Sequence, residues 1–213
     1  MSNRRFPFLT LGLLLVTASL HWLLPDKSLF YFSARDIAAA DIWRVVTGHF
    51  MHADMEHLLW NCLGLAVLGT LIEIRSRKLL WAALGAGMVC VSVLLLSPFS
   101  QLEYYCGLSG VLNALLLVAL WQEWRATRSW LIIVIACGSL AKALIEVSLE
   151  TSLVTHISWP PYAWSHVAGL IGGLIVVLGQ SQSIKDCFGP IAKAEFNVFF
   201  RAERRQNRLL KVR

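Results

Sequence analysis

Apolar residues gather in six blocks along this chain, at 6–24, 57–73, 79–97, 107–121, 130–149 and 164–180, with polar and charged segments between them. A helix needs roughly 20 apolar residues to cross about 30 Å of hydrocarbon. Several blocks reach that length, while the second, fourth and sixth are shorter. The pattern predicts an all-α membrane protein, a bundle of six transmembrane helices. The first block follows Arg4 and Arg5, as the apolar part of a signal peptide would. It is long, however, and ends on His21, Trp22 and Pro25 rather than on small residues, so it is expected to be a retained first helix.

The basic residues orient the bundle. Arg4 and Arg5, then Arg75, Arg77 and Lys78, then Arg125 and Arg128, and eight more after Gln180 all fall on one side of the alternating spans. Fifteen of the 19 Lys and Arg are thus on one face, which the positive-inside rule makes cytoplasmic, with both termini there. Residues 1–182 form the core, with a long aromatic-rich loop at 25–56 on the outer side. Residues 183–213 form a basic cytoplasmic tail, read either as an amphipathic helix starting at Pro190 on the inner leaflet or as a basic coil. Composition agrees with a membrane protein. The chain of 213 residues is 57% hydrophobic and 15% charged, against about 45–50% and about 25% in soluble domains. The net charge of +6 is scattered among apolar runs, so no nucleic-acid-binding stripe forms. Five cysteines without CxxC spacing signal neither a disulfide framework nor a zinc site.

Strongly polar groups inside spans are expensive and therefore candidates for function. Four stand out: His57 and Asn61 in the second helix, Ser109 in the fourth and His166 in the sixth. At about 1.5 Å per residue, counted from the inner ends of their helices, Ser109 and Asn61 lie roughly 18 Å up, His166 roughly 21 Å and His57 roughly 24 Å. Three non-adjacent helices thus bring polar groups to one level in the outer half of the bilayer. Small residues recur beside them, Gly110 to Ala114 in the fourth helix and Gly169 to Gly173 in the sixth, a spacing that lets membrane helices meet backbone to backbone. If those faces meet, Ser109 and His166 can share a hydrogen bond, the minimum for an activated hydroxyl. Ser109 also opens its helix, where free N–H groups favour a developing oxyanion, and His57 and Asn61 could donate to the same oxygen.

Taken together, these residues resemble the rhomboid intramembrane serine proteases. Trp43-Arg44 resembles their first-loop pair, and His52, His57 and Asn61 their second-helix motif, with Glu73 at its foot. Gly107-Leu108-Ser109-Gly110 resembles the GxSG nucleophile motif, and His166 with Gly169 and Gly173 the sixth-helix motif. The resemblance implies Ser109 as nucleophile and His166 as general base, a dyad without a carboxylate, with His57, Asn61 and the Ser109 N–H as oxyanion hole. It implies hydrolysis of a peptide bond near the outer end of a substrate's transmembrane helix, with 98–106, including Glu103, at the mouth of a water-filled cavity. Asn113 stands where most rhomboids carry an aromatic stacked on the histidine, so the imidazole must be oriented by another group, Asn113 itself being a candidate. The compact size, the run Gly107–Leu112 and the Lys142/Glu146 pair are more similar to rhombosortases, a bacterial branch. That branch implies removal of C-terminal anchors made of Gly-Gly, an apolar helix and a basic tip, at a bacterial inner membrane with the site open to the periplasm. Lys142 and Glu146 are read as a structural bridge at i,i+4.

Other classes fit less well. No HExxH or intramembrane Asp pair supports a zinc or aspartyl protease. A metal cluster of His49, His52 and His57 lacks a completing carboxylate, and no cofactor is indicated. The expected partners are a membrane-anchored protein substrate and the lipid bilayer. A general rhomboid, a non-catalytic helix-binding relative and a transporter remain the alternatives.

Overall fold

The computed structural model describes residues 6–149 and 162–180. Six long helices occupy the six apolar blocks: α1 (Phe8–Leu23), α4 (Met55–Glu73), α5 (Arg77–Leu96), α6 (Ser109–Thr127), α7 (Trp130–Leu149) and α8 (Ala163–Gln180). Of these, α4, α5, α7 and α8 are long and apolar enough to cross a membrane, and α1 is apolar but has 16 residues. The second, fourth and sixth long helices are slightly shorter than α5 and α7, which have 20 residues each. They have 19, 19 and 18 residues, and in α6 the part beyond the apolar block is a polar end turn. Helix α6 runs past Trp121 through Gln122, Glu123 and Arg125, and stops where Arg128 takes a left-handed conformation (φ 53°). A polar turn at the membrane surface costs little and satisfies its own backbone, so the helix need not stop where the apolar block does.

Local chemistry sets several starts. Asp54 accepts the His57 N–H and opens α4, and Ser76 accepts the Leu79 N–H and opens α5. Helix α6 has no side-chain cap, so its first-turn N–H groups are left for another acceptor. Helix α6 packs against α4, α5 and α7, and α1 packs along α4. Helix α7 is peripheral: 11% of its span is buried, and Trp130, Leu131, Val134 and Leu144 are exposed. Exposed apolar side chains on this scale suit a surface that faces lipid.

The outer loop is ordered by short pieces: a 3₁₀ turn Lys27–Phe30, strand β1 (Phe32–Ser33), helices α2 (Ala34–Ala38) and α3 (Arg44–Thr47), and a 3₁₀ turn Gly48–Phe50. Strand β1 pairs antiparallel with β2 (Tyr104–Tyr105), just before α6, the one two-stranded ladder among the described residues. Phe32 is buried with Val91, Leu95, Tyr105 and Ala168, which ties the loop to the helix ends around Ser109. By its internal packing the chain divides into Met1–Val176 and Val177–Arg213, and the second unit is described only for the last turn of α8. The basic tail expected at 183–213 lies outside the described residues.

Candidate active site

Ser109 is the first residue of α6 and follows a turn that only glycine can make. Gly107 has φ +122°, and a Cβ there would lie 2.6 Å from Cε1 and Nε2 of His57. The turn is held on both sides, with the Gly107 N–H donating to the Gly48 carbonyl (3.0 Å) and the Tyr105 hydroxyl donating to the Gly107 carbonyl (3.1 Å). The imidazole of His57 is therefore packed on the backbone two residues before Ser109.

His166 reaches the same point from α8. A Cβ on Gly169 would overlap the Gly110 carbonyl oxygen, and one on Gly173 would lie 2.7 Å from the Ala114 carbonyl oxygen. On a neighbouring side of α8, Gly172 sits against the Ala86 carbonyl of α5, at 2.7 Å from a would-be Cβ. Hydrogen side chains at these positions bring α8 onto the backbones of α5 and α6, the close approach that small residues permit in membrane bundles. The result is a hydrogen bond of 3.1 Å between His166 Nε2 and Ser109 Oγ. The imidazole does not end there. Its Nδ1 is 3.1 Å from Glu146 Oε2, and Glu146 Oε1 accepts from Lys142 Nζ at 2.6 Å. The Glu146 side chain is 1% exposed, whereas that of Lys142 is 42% exposed. A cleft of about 210 Å³ opens beside this chain of groups, lined by Leu68, Leu112, Asn113, Lys142, Glu146 and His166 among others. A hydroxyl, a base and a carboxylate in series beside a cleft can perform nucleophilic acyl transfer.

A family comparison matches residues 39–183 to the Rhomboid domain. The chain belongs to the rhomboid family. The Rhomboid protease GluP of Bacillus subtilis (strain 168) is 28% identical over 171 residues, which is 76% of this chain and 31% of that protein. The chain thus spans about a third of the length of that relative.

Within this rhomboid core the sequence-derived residues separate into two groups. Ser109, His166, Gly107, Gly110, Gly169, Asn113 and His57 gather around the head of α6, and Gly173 packs further along it against Ala114. Asn61 is buried one turn below His57 and donates its amide to the His57 carbonyl (2.8 Å). His52 is fully buried, edge-to-face with His57 at 4.9 Å between ring centroids. Burial and the neighbouring imidazoles of His57 and His21 push the His52 pKa down to about 3, so the ring is neutral. The other group has its described partners elsewhere. Arg44 is buried in the outer loop, where it binds Asp41, Asp36 and the carbonyls of Ser28 and Tyr31, while Trp43 beside it is half exposed. Glu73 lies 12 residues along α4 from Asn61, roughly 18 Å by helical rise. There its carboxylate takes the Leu9 and Thr10 N–H groups and the Thr10 hydroxyl, and so caps the start of α1. The described contacts of Arg44 and Glu73 thus hold the outer loop and the start of α1.

Two further expectations change. The dyad was expected to lack a carboxylate, yet Glu146 binds the free side of the imidazole. A lysine at i,i+4 is sufficient reason for a glutamate, so the spacing hid the second partner. Asn113, a candidate for orienting His166, donates its amide instead to the Ser109 carbonyl (2.9 Å). Tyr105 was not singled out. It is buried, its pKa is pushed up to about 12 by that burial, and its hydroxyl neighbours Ser165, Gly110 and Ser109. Cys106 is also buried, and burial pushes its pKa up to about 12, so it is no reactive thiolate. Glu103 is exposed. No group of three or more metal-ligating side chains forms among the described residues.

Proposed function

We propose that this chain is an intramembrane serine protease in which Ser109 is the nucleophile and His166 the general base. The observation that carries the reading is the 3.1 Å contact between His166 Nε2 and Ser109 Oγ, at the uncapped start of α6. His166 Nε2 takes the hydroxyl proton as Oγ attacks the scissile carbonyl carbon. The oxyanion develops near the free N–H groups and positive dipole end of α6, with the His57 ring and the Asn61 amide as further donors. Collapse of the tetrahedral adduct breaks the C–N bond, and the proton on Nε2 passes to the leaving amine. Water then adds to the acyl-enzyme by the same route in reverse and frees the acid.

The six long helices are spans, and the basic residues put both ends of the bundle in the cytoplasm and the Ser109 end toward the periplasmic side of a bacterial inner membrane. The substrate is a membrane-anchored protein cut near the outer end of its helix. The run Gly107–Leu112 and the Lys142/Glu146 pair favour anchors of the Gly-Gly, apolar helix and basic tip type. The test uses the protein in proteoliposomes with two substrates, one carrying such an anchor and one a generic single-span helix. Ser109→Ala abolishes cleavage of both while folding is retained, and a fluorophosphonate labels Ser109 only when His166 is present. Continued cleavage by Ser109→Ala removes the protease reading. Equal rates on the two substrates remove the anchor preference and leave a general rhomboid.

A further inference from the structure

We infer that Glu146 is the positioning residue of the reaction centre, so that the working unit is Ser109–His166–Glu146 with Lys142 holding the carboxylate. The inference rests on the protease reading and adds to it a third, acidic member from α7.

The argument starts from the cost of the carboxylate. A glutamate on a membrane helix is expensive unless paired, and an i,i+4 lysine on the same surface would suffice to pair it. A pair of that kind needs no burial. Here the lysine is 42% exposed, but the Glu146 side chain is turned inward to 1% exposure. Its two oxygens serve different partners: Oε1 takes Lys142 Nζ at 2.6 Å, and Oε2 lies 3.1 Å from His166 Nδ1. The carboxylate has therefore been brought to the imidazole across a helix interface, with Lys142 on its other oxygen.

The consequence is a tautomer. A carboxylate can only accept, so the proton of neutral His166 stands on Nδ1, and Nε2 presents its lone pair to the Ser109 hydroxyl 3.1 Å away. When Nε2 takes the Oγ proton, the imidazolium carries its new charge beside a carboxylate that is already in place. The proton leaves again from Nε2 to the departing amine, and none passes to Glu146. Asn113 cannot replace it through the amide N–H that is given to the Ser109 carbonyl. Among the described residues, the polar groups that the other elements bring around His166 are Ser109 and Asn113 on α6 and His57 on α4, none of them an anion.

The experiment compares Glu146→Gln, Glu146→Asp and Lys142→Met with the wild type in proteoliposomes, measuring kcat and KM on a transmembrane substrate and the rate of fluorophosphonate labelling. Glu146→Gln should lower kcat and the labelling rate by about 10²–10⁴-fold, with KM changed by less than about threefold. Glu146→Asp should recover part of the loss, and Lys142→Met should cost less than tenfold. In a ¹⁵N-histidine spectrum of the Ser109→Ala protein, a far-downfield Nδ1 proton should be present and should vanish on adding Glu146→Gln. Glu146→Gln with kcat within threefold of wild type overturns the assignment, as does the lack of the Nδ1 proton; that second measurement needs no Glu146 variant to fold. If Ser109→Ala and His166→Ala are inactive while Glu146→Gln is not, the protease reading stands and only this inference falls. If the wild type shows no Ser109-dependent labelling or cleavage, both fall.

Discussion

Replacing Gly173 by alanine tests whether the contact between α6 and α8 sets the reacting distance. Gly173 lies two turns along α8 from His166, outside the cleft. A Cβ at 173 would stand 2.7 Å from the Ala114 carbonyl oxygen and 3.0 Å from its Cα, and ordinary contact begins at 3.4 Å. Both close atoms are backbone in the middle of α6, so no side chain can swing aside. The helices must therefore part by about 0.7 Å at that level, at a cost of about 1–3 kcal/mol, typical of overpacking. Carried rigidly to His166, that shift would stretch the 3.1 Å contact with Ser109 toward about 3.8 Å, beyond hydrogen-bonding range. A misplacement approaching 1 Å can cost about 10²-fold in rate, so the expected loss in labelling and in kcat is about 10- to 100-fold, the lower end if α8 tilts about its outer end. The control is Gly138→Ala in α7, where a Cβ meets nothing within 4 Å. The assay is the second-order rate of fluorophosphonate labelling at Ser109, with a thermal unfolding midpoint measured on the same samples. Labelling of Gly173→Ala within twofold of the control, in protein that is folded, would refute the claim that backbone contact positions the base.

Glu73→Ala should lower the unfolding midpoint in detergent by an amount equivalent to about 1–3 kcal/mol, because the Leu9 and Thr10 amides at the start of α1 lose their acceptor. Well below that midpoint its labelling rate should match wild type, and a specific loss of rate would place Glu73 in the chemistry after all. Stability should also depend on acid through the outer loop. Burial holds His49 at about 4 and His52 at about 3, whereas an unfolded chain protonates histidine near 6.5. Below pH 6.5 the unfolded state binds the extra protons, so stability is flat above about pH 7 and falls by a few kcal/mol between pH 6.5 and about 4. A series of unfolding midpoints against pH checks this, and His52→Gln should make the slope shallower.

Much of the bundle is legible in the sequence because the bilayer leaves few choices. A backbone in hydrocarbon must satisfy itself, so an apolar block of near-spanning length is a helix, and all six blocks are. What the blocks could not fix were their ends. Glu123, two residues past the last strongly apolar stretch, pairs with Arg75 from the α4–α5 turn, and α6 runs on beyond it to Thr127. Nor could they give the fold of residues 25–54. That loop is shaped by groups far apart in sequence, such as Arg44 on the Ser28 and Tyr31 carbonyls and β1 on β2, and no local periodicity encodes such pairings.

The candidate site is legible for the same reason, and its limits have a physical cause. Glycines at 110, 169 and 173 can be read from spacing, because one helical turn repeats every three to four residues and small residues announce a close backbone approach. Ser109 and His166 follow, since each sits a fixed number of turns from those glycines. Glu146 does not follow, because its depth in α7 says nothing of which way that helix is turned about its axis. A rotation of 100° per residue separates a carboxylate on the imidazole from one facing lipid, and α7 has no glycine pair to declare its contact face. Its exposed apolar surface covers most of the circumference, so hydrophobicity gives no direction either. The direction comes from Ala143 and Glu146, the two buried residues of α7, three apart on one face. A small residue and an acid on the one buried stripe of an otherwise lipid-facing helix is the signal that would have placed Glu146 at the centre, and it is visible only once the burial of α7 is known.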